Sequence, residues 1–428
     1  MVTKTKWTVL VYMAADTSAS FYQDAMADVG EMVEAKFPED VKVIVHTDAP
    51  SPWKGRCWSV DGKGGITPRV KANGSEACGH ERVLDFVKES VEESDSDHYM
   101  LVLWGHGEGI DWKQKVTGPS VPTATPAALG ADSAVNKRFA LGSQNAVEVG
   151  DLGKALTNLE LKNSRGEKLN PDQVVMGFDA CLMGMVEVDY EIKKHVQWAF
   201  ATSDEIPVAG WPYRNILNSL GKNPKIKPQN FAEKLVEICS TWYSENSPET
   251  KIGFATCNLL DGDLVRDNME KLTSELRNHI NEPKVWEAVR YARDFAEDLG
   301  EIAYVDLHAF CSELSRRIAT LGYPATAELE RAARVVNATL DAKFIVKHDF
   351  SNAYPGAYIK ESRSLSICFP QTAEMVGSVP DLVVNWGSYR KLEFSEATKW
   401  PCFLEEFWAL QRSTDRRKPS VSAKAAGC

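Results

Sequence analysis

Two side chains able to take part in covalent chemistry each follow a run of apolar residues. His106 comes after the run 99–104 and one glycine, and Cys181 comes after the run 174–178, Asp179 and Ala180. A cysteine attacks a carbonyl carbon as its thiolate, and an ordinary thiol with a pKa of about 8.5 is mostly protonated at neutral pH. A histidine can accept that proton and later donate it to a leaving amine. The pair therefore indicates acyl transfer through a covalent thioester.

The elements that would position this pair are buried β-strands. Continuous apolar runs without alternation are typical of strands covered on both faces, as in parallel sheets flanked by helices. The carboxyl ends of parallel strands open onto a shared crevice. We therefore expect His106 and Cys181 at the same edge of one sheet. The predicted strands are 7–15, 41–46, 99–104, 174–178, 198–202 and 252–256.

The segments between these runs carry the periodicity of amphipathic helices. Apolar residues recur every three or four positions, so that they share one helical face. The two clearest faces are Val83, Phe86, Val87 and Val91, and then Phe231, Leu235, Ile238 and Trp242. Strands that alternate with helices predict an α/β fold, with a mostly parallel sheet sandwiched by helices.

The residues that follow Cys181 predict a helix that begins just after it. Met185, Val188 and Ile192 fall on one face of such a helix. The N-terminus of a helix favours a nearby negative charge by about 0.3–1 kcal/mol. This predicted helix would therefore lower the pKa of the Cys181 thiol.

Glycines surround His106 and allow backbone amides to approach a substrate carbonyl closely. The N–H groups of Gly107 and Cys181 are the predicted donors to the oxyanion of a tetrahedral intermediate. His46 follows another strand at the same predicted sheet edge and is the rival base, although no glycine flanks it.

The chain of 428 residues is longer than one ordinary domain. We predict a catalytic domain over residues 1–285 and a smaller C-terminal α/β subdomain over 286–412. Residues 113–147 are rich in Pro, Thr, Ala, Gly and Ser and have no periodicity, which predicts an exposed loop between the two reactive residues. The polar and basic tail 413–428 is expected to be disordered.

The composition excludes several classes of protein. A formal net charge of −11 argues against a nucleic-acid partner. No apolar run approaches the roughly 18 residues that would span a membrane. Nine scattered cysteines without a CxxC pair exclude zinc ribbons and thioredoxin-type motifs. Lys4 and Lys6 precede an apolar run as in a signal peptide, but its strand-forming residues predict the first core strand instead.

Three motifs, taken in order along the chain, resemble those of the clostripain family of cysteine peptidases. They are WTVLVYMAAD at 7–16, LWGHGEG at 103–109 and FDACLMGMVE at 178–187. The segment SDE at 203–205, followed by GWPY at 210–213, fits the same family. The resemblance covers residues 6–215, with weaker similarity at 364–370 and 400–408.

The resemblance implies a caspase-like fold and a cysteine endopeptidase that cleaves peptides or proteins after Arg or Lys. Carried over by position, Cys181 and His106 form the catalytic dyad. Asp179 and Asp204 are implied to line the pocket for the basic P1 side chain, since a buried cation requires a carboxylate partner. Members of the family are often secreted.

The resemblance also implies autolytic cleavage of the loop between the histidine and cysteine segments. Within 113–147 the predicted site follows Lys137 or Arg138, and the alternative is a surface loop that is never cut. Thiol acyl transfer requires no cofactor. Calcium dependence occurs in part of the family, but this sequence shows no cluster of calcium ligands.

The sequence departs from the family pattern at two places. DTSA at 16–19 lacks an Asn-rich, acidic continuation, and IPVA at 206–209 replaces a more acidic turn beside the predicted P1 pocket. The second departure bears on strict preference for Arg or Lys. Two other functions stay open here: a non-catalytic binding module, and a thiol acyl-transfer enzyme such as an amidase or ligase. Retention of both Cys181 and His106 argues against the binding module.

Overall fold

Strands form the centre of the molecule. The computed structural model describes residues 4–50, 55–69, 80–107, 109–110, 152–153, 156, 161–296, 303–354, 360–377 and 384–417. The strands in these ranges are β1 (Thr5–Met13), β2 (Val41–Thr47), β3 (Arg56–Val60), β4 (Ile66–Pro68), β5 (Ser96–Trp104), β6 (Val174–Asp179), β7 (Trp198–Ala201), β8 (Gly253–Asn258), β9 (Tyr304–Asp306), β10 (Ile345–Phe350), β11 (Ser366–Cys368), β12 (Val376–Gly377) and β13 (Val384–Asn385).

Helices connect most of these strands. In the same described ranges they are α1 (Ala19–Glu34), α2 (His80–Glu92), α3 (Val186–Ile192), α4 (Tyr213–Lys222), α5 (Pro228–Asn246), α6 (Gly262–His279), α7 (Pro283–Phe295), α8 (Leu307–Leu321), α9 (Ala327–Thr339), α10 (Trp386–Tyr389), α11 (Glu393–Thr398) and α12 (Trp400–Arg417). Short 3-10 or π turns occupy Pro171–Gln173, Leu259–Asp261, Pro324–Thr326, Leu340–Phe344 and Ala373–Met375. None of the described helices is long and apolar enough to cross a membrane.

The main sheet has nine strands among the described residues, in the order β10-β8-β7-β6-β5-β1-β2-β3-β4. The five central strands, from β7 to β2, are parallel to one another. Antiparallel strands extend the sheet at both sides, where β8 and β10 follow β7, and β3 and β4 follow β2. The expected mostly parallel α/β sheet is confirmed.

Helices cover both faces of the sheet. This explains why its strands correspond to unbroken runs of apolar residues in the sequence. Trp7 of β1 packs its ring against Phe231 of α5, at 4.9 Å between centroids. Tyr12 of β1 points to the opposite face and packs against Phe86 of α2, at 5.8 Å. Successive side chains of a strand alternate between faces, so the odd positions of β1 face α5 and the even positions face α2.

The C-terminal part of the chain is joined to the sheet through several contacts. β10 pairs with β8, and β11 pairs with β9 beside the main sheet. Apolar residues from both parts form one continuous core. The domain boundary at residue 285 therefore stays a prediction, although the structure shows that sheet and core continue across it.

Two predicted segments lie partly or wholly outside the described residues. Of the loop predicted at 113–147, none is described. Helix α12 extends to Arg417, so residues 413–417 of the tail that we expected to be disordered are helical. Residues 418–428 lie outside the described part of the chain.

Candidate active site

The ends of β5 and β6 bring the histidine and cysteine segments together. These strands are parallel neighbours, and Trp104 is paired in register with Asp179. His106 and Cys181 each come two residues after that pair. The N–H of Gly105 continues the ladder by donating to the carbonyl oxygen of Asp179 at 3.2 Å. The expectation that both segments reach the same sheet edge is confirmed.

Gly107 lies directly against the backbone of Cys181. A Cβ atom placed on Gly107 would be 2.1 Å from the carbonyl oxygen of Cys181 and 2.7 Å from its nitrogen. No real Cβ tolerates such distances, so the approach of the two chains requires glycine at this position. The two backbone groups predicted as oxyanion donors therefore belong to segments in van der Waals contact.

The imidazole of His106 is held by the connection between β1 and α1. Its ring stacks on Phe21 of α1, with centroids 4.0 Å apart and planes only 4° from parallel. The hydroxyl oxygen of Thr17 lies 3.4 Å from His106 Nε2. Phe21 also packs against Trp104, at 4.7 Å, which places His106 on the α1 face of the sheet. The sequence reasoning assigned no role to Thr17 or Phe21.

The sulfur of Cys181 is enclosed by the backbone of Ile206. The Ile206 N–H donates to Sγ at 3.2 Å, and Sγ lies 3.7 Å from the Ile206 carbonyl oxygen. Only 1% of Cys181 is exposed. A backbone N–H aimed at sulfur favours the thiolate, because hydrogen bonding to a charged form stabilises that form. This donor has no sequence signature, since any residue except proline could supply it.

The helix expected immediately after Cys181 begins later than predicted. α3 starts at Val186, and Met185 occupies its N-cap position. Leu182 adopts a left-handed backbone conformation with φ of 61°, which turns the chain before the helix. The influence of a helix terminus falls off within about one turn. The predicted helix is present but starts five residues after Cys181, and its effect on the thiol stays a prediction. The structure shows the Ile206 N–H as a hydrogen-bond donor to the sulfur.

The five residues from Cys181 to Met185, here called the cysteine loop, are tied to the segment that follows β7. The Leu182 N–H donates to the Asp204 carbonyl oxygen at 2.9 Å. The Gly184 N–H donates to the Thr202 carbonyl oxygen at 2.7 Å. These bonds fix the strained turn on one side.

Asp179 is the last residue of β6, two residues before Cys181. It is completely buried, and its Oδ2 accepts hydrogen bonds from the Tyr213 hydroxyl at 3.0 Å and from the Trp211 N–H at 3.3 Å. Burial, with the Asp179 charge as the next cause, raises the pKa of Tyr213 well above its usual value. Tyr213 therefore stays a hydrogen-bond donor across the physiological pH range.

Asp204 has a different set of partners. Its carboxylate accepts a hydrogen bond from the Gly253 N–H at 2.7 Å and another from the Tyr354 hydroxyl. Its backbone is close to the cysteine loop, whereas these carboxylate contacts lead toward β8 and the segment after β10. None of these partners is shared with Asp179. The two carboxylates are thus bonded to different segments, that of Asp179 to Trp211 and Tyr213 and that of Asp204 to β8 and Tyr354.

His46, the rival base, belongs to a separate polar group. Its Nε2 lies 3.1 Å from Asp48 Oδ1, and its ring stacks on Tyr12 at 5.0 Å. It lies near the end of β2, and β1 and β5 separate that strand from β6 and Cys181. Of the two candidates, His106 is therefore the histidine next to the cysteine segment.

Two further predictions concern metal ions and processing. In the described parts of the chain, no three or more His, Cys, Asp and Glu side chains are placed to hold a metal ion. Lys137 and Arg138, the predicted cleavage sites, lie outside the described residues.

A mostly parallel sheet between helices, with cysteine and histidine at adjacent strand ends, is the arrangement of caspase-like cysteine peptidases. The chain belongs to the clostripain family, because a sequence model of that family matches residues 11–408. It is therefore a cysteine peptidase of this family, and peptides are its class of substrate. The resemblance inferred from three motifs is confirmed and extends over nearly the whole chain.

Solved structures support the same fold. An inactive zymogen C11 protease from Parabacteroides distasonis is 19% identical, with a TM-score of 0.61 and coverage of 93% of this chain and 99% of its own. A secreted C11 cysteine protease from Bacteroides thetaiotaomicron, iotapain, is 16% identical, with a TM-score of 0.62 and coverage of 92% and 100%. A structure of a secreted C11 cysteine protease from Bacteroides thetaiotaomicron with an irreversible peptide inhibitor is also 16% identical, with a TM-score of 0.60 and coverage of 92% and 99%. No curated protein sequence matches the chain.

Proposed function

We propose that this protein is a cysteine endopeptidase that cleaves after Arg or Lys, with Cys181 as nucleophile and His106 as general acid and base. The observation that carries the proposal is the contact between Gly107 and Cys181 at adjacent parallel strand ends. Beside that contact, Phe21 holds the His106 ring at 4.0 Å. The alternative of a silent binding module provides no reason for these features to converge.

In the first half of the reaction, His106 takes the thiol proton of Cys181, and the thiolate attacks the substrate carbonyl carbon. The N–H groups of Gly107 and Cys181 donate to the resulting oxyanion, and the Ile206 N–H stabilises the thiolate beforehand. The imidazolium then donates its proton to the leaving amine. The carbon–nitrogen bond breaks and a thioester to Cys181 remains.

In the second half, a water molecule attacks the thioester while His106 removes one of its protons. The carbon–sulfur bond breaks, the carboxylic acid leaves, and the proton returns to sulfur. Every group in this scheme belongs to the chain, so we propose no cofactor for the chemistry. Because Ile206 encloses the sulfur, substrate entry requires displacement of the segment that contains it.

The proposed basic specificity depends on Asp179. Its completely buried carboxylate lies two residues before Cys181 and is oriented by Tyr213 and Trp211. A P1 guanidinium or ammonium group that reaches it would exchange water for a charge-assisted hydrogen bond. Asp204 stays a predicted second contributor. Because the Asp204 carboxylate is already bonded to Gly253 and Tyr354, we propose that Asp204 shapes the wall of the pocket more than it contacts the P1 side chain directly.

A panel of fluorogenic peptides that varies P1 among Arg, Lys, Asp, Asn and Leu tests this function. Wild type should turn over the Arg and Lys peptides, and Cys181→Ala should turn over none. Asp179→Asn should lower kcat/KM for Arg and Lys by about a hundredfold or more, as loss of a buried charge partner predicts. Turnover of only Asp or Leu peptides by wild type would contradict the basic specificity. Addition of a competing amine separates hydrolysis from acyl transfer.

We further propose that the protein cleaves itself after Lys137 or Arg138. The proposal rests on the basic residues and loop-like composition of 113–147, together with the proposed specificity. Mass spectrometry of purified wild type should find a cut at one of these residues, and Cys181→Ala should remain intact. Identical cutting in both proteins would show that another protease is responsible.

A further inference from the structure

The C-terminal part of the chain forms hydrogen bonds to the cysteine loop on the side opposite to β7. The Gly184 carbonyl oxygen accepts hydrogen bonds from the Ser366 N–H at 2.8 Å and from its hydroxyl at 3.1 Å. Met185 and Ser366 form a parallel bridge. Since the Gly184 N–H is bound to Thr202, the loop that carries Cys181 is held between the end of β7 and the start of β11.

A buried carboxyl group closes this contact. Glu187 lies three residues after Gly184 and is completely buried. Its Oε1 accepts hydrogen bonds from the Cys368 N–H at 2.9 Å and from the Tyr389 hydroxyl at 3.1 Å. Gly184 and Glu187 thus bind two residues of β11, Ser366 and Cys368, from one short stretch of chain. Within the ranges that the structure describes, Glu187 Oε2 has no hydrogen-bond partner.

We propose that Glu187 is a positioning residue for the peptidase reaction, which fixes β11 against the cysteine loop and thereby holds Cys181 in place relative to His106. This inference rests on the proposed function and concerns the same site. It also gives the C-terminal part of the chain a role in positioning the active site, because that part contains β11 and Tyr389. Glu187 acts through Ser366 and Gly184 and does not touch the substrate.

The chemistry of Glu187 favours positioning over simple packing. A buried carboxyl group costs free energy that an apolar side chain would not, so packing alone gives no reason for its presence. Burial raises its pKa to about 7, although Cys368 and Tyr389 act in the opposite direction. The titratable groups facing it are Tyr389 from α10, Cys368 from β11 and Asp189 from its own helix. Burial keeps Tyr389 protonated by raising its pKa well above the usual value.

The same helix provides a matched control. Glu191 lies one turn after Glu187, is also buried, and has a pKa raised to about 7 mainly by burial. Its Oε1 accepts a hydrogen bond from the Glu393 N–H at 2.5 Å and so binds α11 instead of β11. Loss of either carboxyl group disturbs the contact between α3 and the C-terminal part, but only Glu187 is connected to the cysteine loop through β11.

The test compares Glu187→Ala, Glu187→Gln and Glu191→Ala in the full-length chain, with the best peptide of the panel as substrate. We expect Glu187→Ala to lower kcat about tenfold or more with KM within about twofold, since misplacement of a reacting group acts on the chemical step. Glu187→Gln, which still accepts both hydrogen bonds, should recover kcat to within about threefold. Glu191→Ala should keep kcat within about threefold of wild type at a similar loss of Tm. Equal losses of kcat in the two alanine variants, or no loss in Glu187→Ala, would overturn the proposal.

If Glu187→Ala does not fold, a second pair of variants tests the proposal. Ser366→Ala removes one donor to Gly184, and Ser240→Ala removes a buried hydroxyl that donates to Asp349 at 2.8 Å, away from the loop. Ser366→Ala should lower kcat about fivefold while Ser240→Ala leaves it unchanged. Equal values of kcat would overturn the proposal.

The rate of Cys181 alkylation by iodoacetamide, mapped by mass spectrometry, gives a readout that needs no peptidase activity. Positioning predicts a changed alkylation rate in Ser366→Ala and the wild-type rate in Ser240→Ala. The same rate in both variants would count against the proposal. A wild type that is alkylated at Cys181 yet turns over no peptide would contradict the proposed function instead.

Discussion

At the scale of residues, backbone groups form close contacts with Cys181, the proposed nucleophile. The Ile206 N–H donates a hydrogen bond to the sulfur. Gly107 can contact the Cys181 backbone because glycine has no side chain. Burial of the sulfur opposes ionisation, whereas the Ile206 donor favours it. In the proposed mechanism, His106 completes the deprotonation. At His106 side chains contribute as well, because the Phe21 ring stacks on the imidazole and the Thr17 hydroxyl lies near Nε2.

The first prediction concerns that ring. Phe21→Leu should lower kcat about fivefold to tenfold with little change in KM, because the imidazole plane loses its stacking partner and reaction geometry is sensitive to small displacements. The smaller side chain should also cost roughly 1 kcal/mol of stability. Steady-state kinetics with the preferred peptide and thermal unfolding measure the two effects separately.

Phe86→Leu is the control for this prediction. Phe86 is as deeply buried as Phe21, but it packs near His46 and Tyr12 on the opposite face of the sheet. It should lose similar stability and keep its kcat. A comparable fall of kcat in both variants would show that general loosening of the core, and not the stacking on His106, is responsible.

The sequence predicted that His106 and Cys181 lie at one edge of the sheet, and it gave no sign of the groups that contact them. His106 and Cys181 could be predicted because reactive types at the ends of apolar runs are visible in the sequence. The Ile206 N–H could not, because backbone donors carry no residue type. Phe21 reads as one more apolar position of a helix, and only the fold shows that its ring lies under the imidazole. Asp204 was predicted beside Asp179, but side-chain partners depend on loop paths that a sequence does not specify.

At the scale of elements, the close approach of β5 and β6 beyond their last paired residues shapes the site. The second prediction is that Gly107→Ala abolishes measurable turnover. A Cβ there would overlap the Cys181 carbonyl, and backbone atoms cannot move aside as a flexible side chain can. Turnover and Cys181 alkylation should be measured together, since the shift should alter both.

Gly30→Ala is the control for the glycine substitution. Gly30 lies inside α1, and a Cβ there would meet nothing within 4 Å. Because alanine is the better helix former, Gly30→Ala should stabilise the protein by about 0.5–1 kcal/mol and leave turnover unchanged. Full activity in Gly107→Ala would contradict the contact that the proposed mechanism requires.

The third prediction concerns the pH dependence of stability and arises from α3. Burial raises the pKa of Glu187, Asp189 and Glu191 to about 7 each. In the unfolded chain these groups ionise near pH 4, so the native state binds protons that the unfolded state has lost. Stability from these groups is fully present below the unfolded pKa and is lost as pH rises through about 7. Thermal unfolding should therefore occur at lower temperature at pH 8 than at pH 6.5.

Three histidines titrate in the native state mainly below the chosen window. Burial lowers the pKa of His98, His195 and His348 below that of a free histidine, so their contribution to the pH dependence of stability falls mainly at lower pH. Asp189→Asn should reduce the difference in Tm between pH 6.5 and 8, because one buried ionisation is removed. If Asp189→Asn shows the same difference in Tm between pH 6.5 and 8 as wild type, Asp189 does not contribute to the pH dependence of stability.

The helix that contains these groups also shows where prediction from sequence fails. Its apolar spacing correctly indicated a helix after Cys181, but the start was placed too early. Gly184 and the left-handed Leu182 extend the loop by several residues, and nothing in the side-chain pattern indicates a positive φ at leucine. The sequence alone would suggest that the acidic residues of α3 face solvent. In the structure Glu187 and Glu191 are bonded to the C-terminal part, and Asp189 interacts with Cys257 of β8.

At the scale of the whole molecule, the order of strands differs from their order along the chain. β5 and β6 are hydrogen-bonded neighbours in the middle of the sheet, yet residues 105–173 separate them in sequence. The C-terminal strand β10 lies at one edge of the same sheet, and β1 to β4 form the other side. The apolar runs predicted most of the strands, whereas the antiparallel addition of β8 and β10 was not predicted, because an apolar run does not reveal its direction.

This strand order leads to the fourth prediction, which concerns the product of self-cleavage. A cut after Lys137 or Arg138 separates β5 and all earlier strands from β6 and all later ones, but it breaks no hydrogen bond of the β5–β6 ladder. The two fragments share one core with parallel pairing at its centre, so they should stay associated. Denaturing electrophoresis should show two bands, while size-exclusion chromatography in native buffer should show one peak at the position of uncut Cys181→Ala. Because His106 lies on one fragment and Cys181 on the other, fragments that separated in native buffer without loss of activity would contradict both the shared sheet and the proposed dyad.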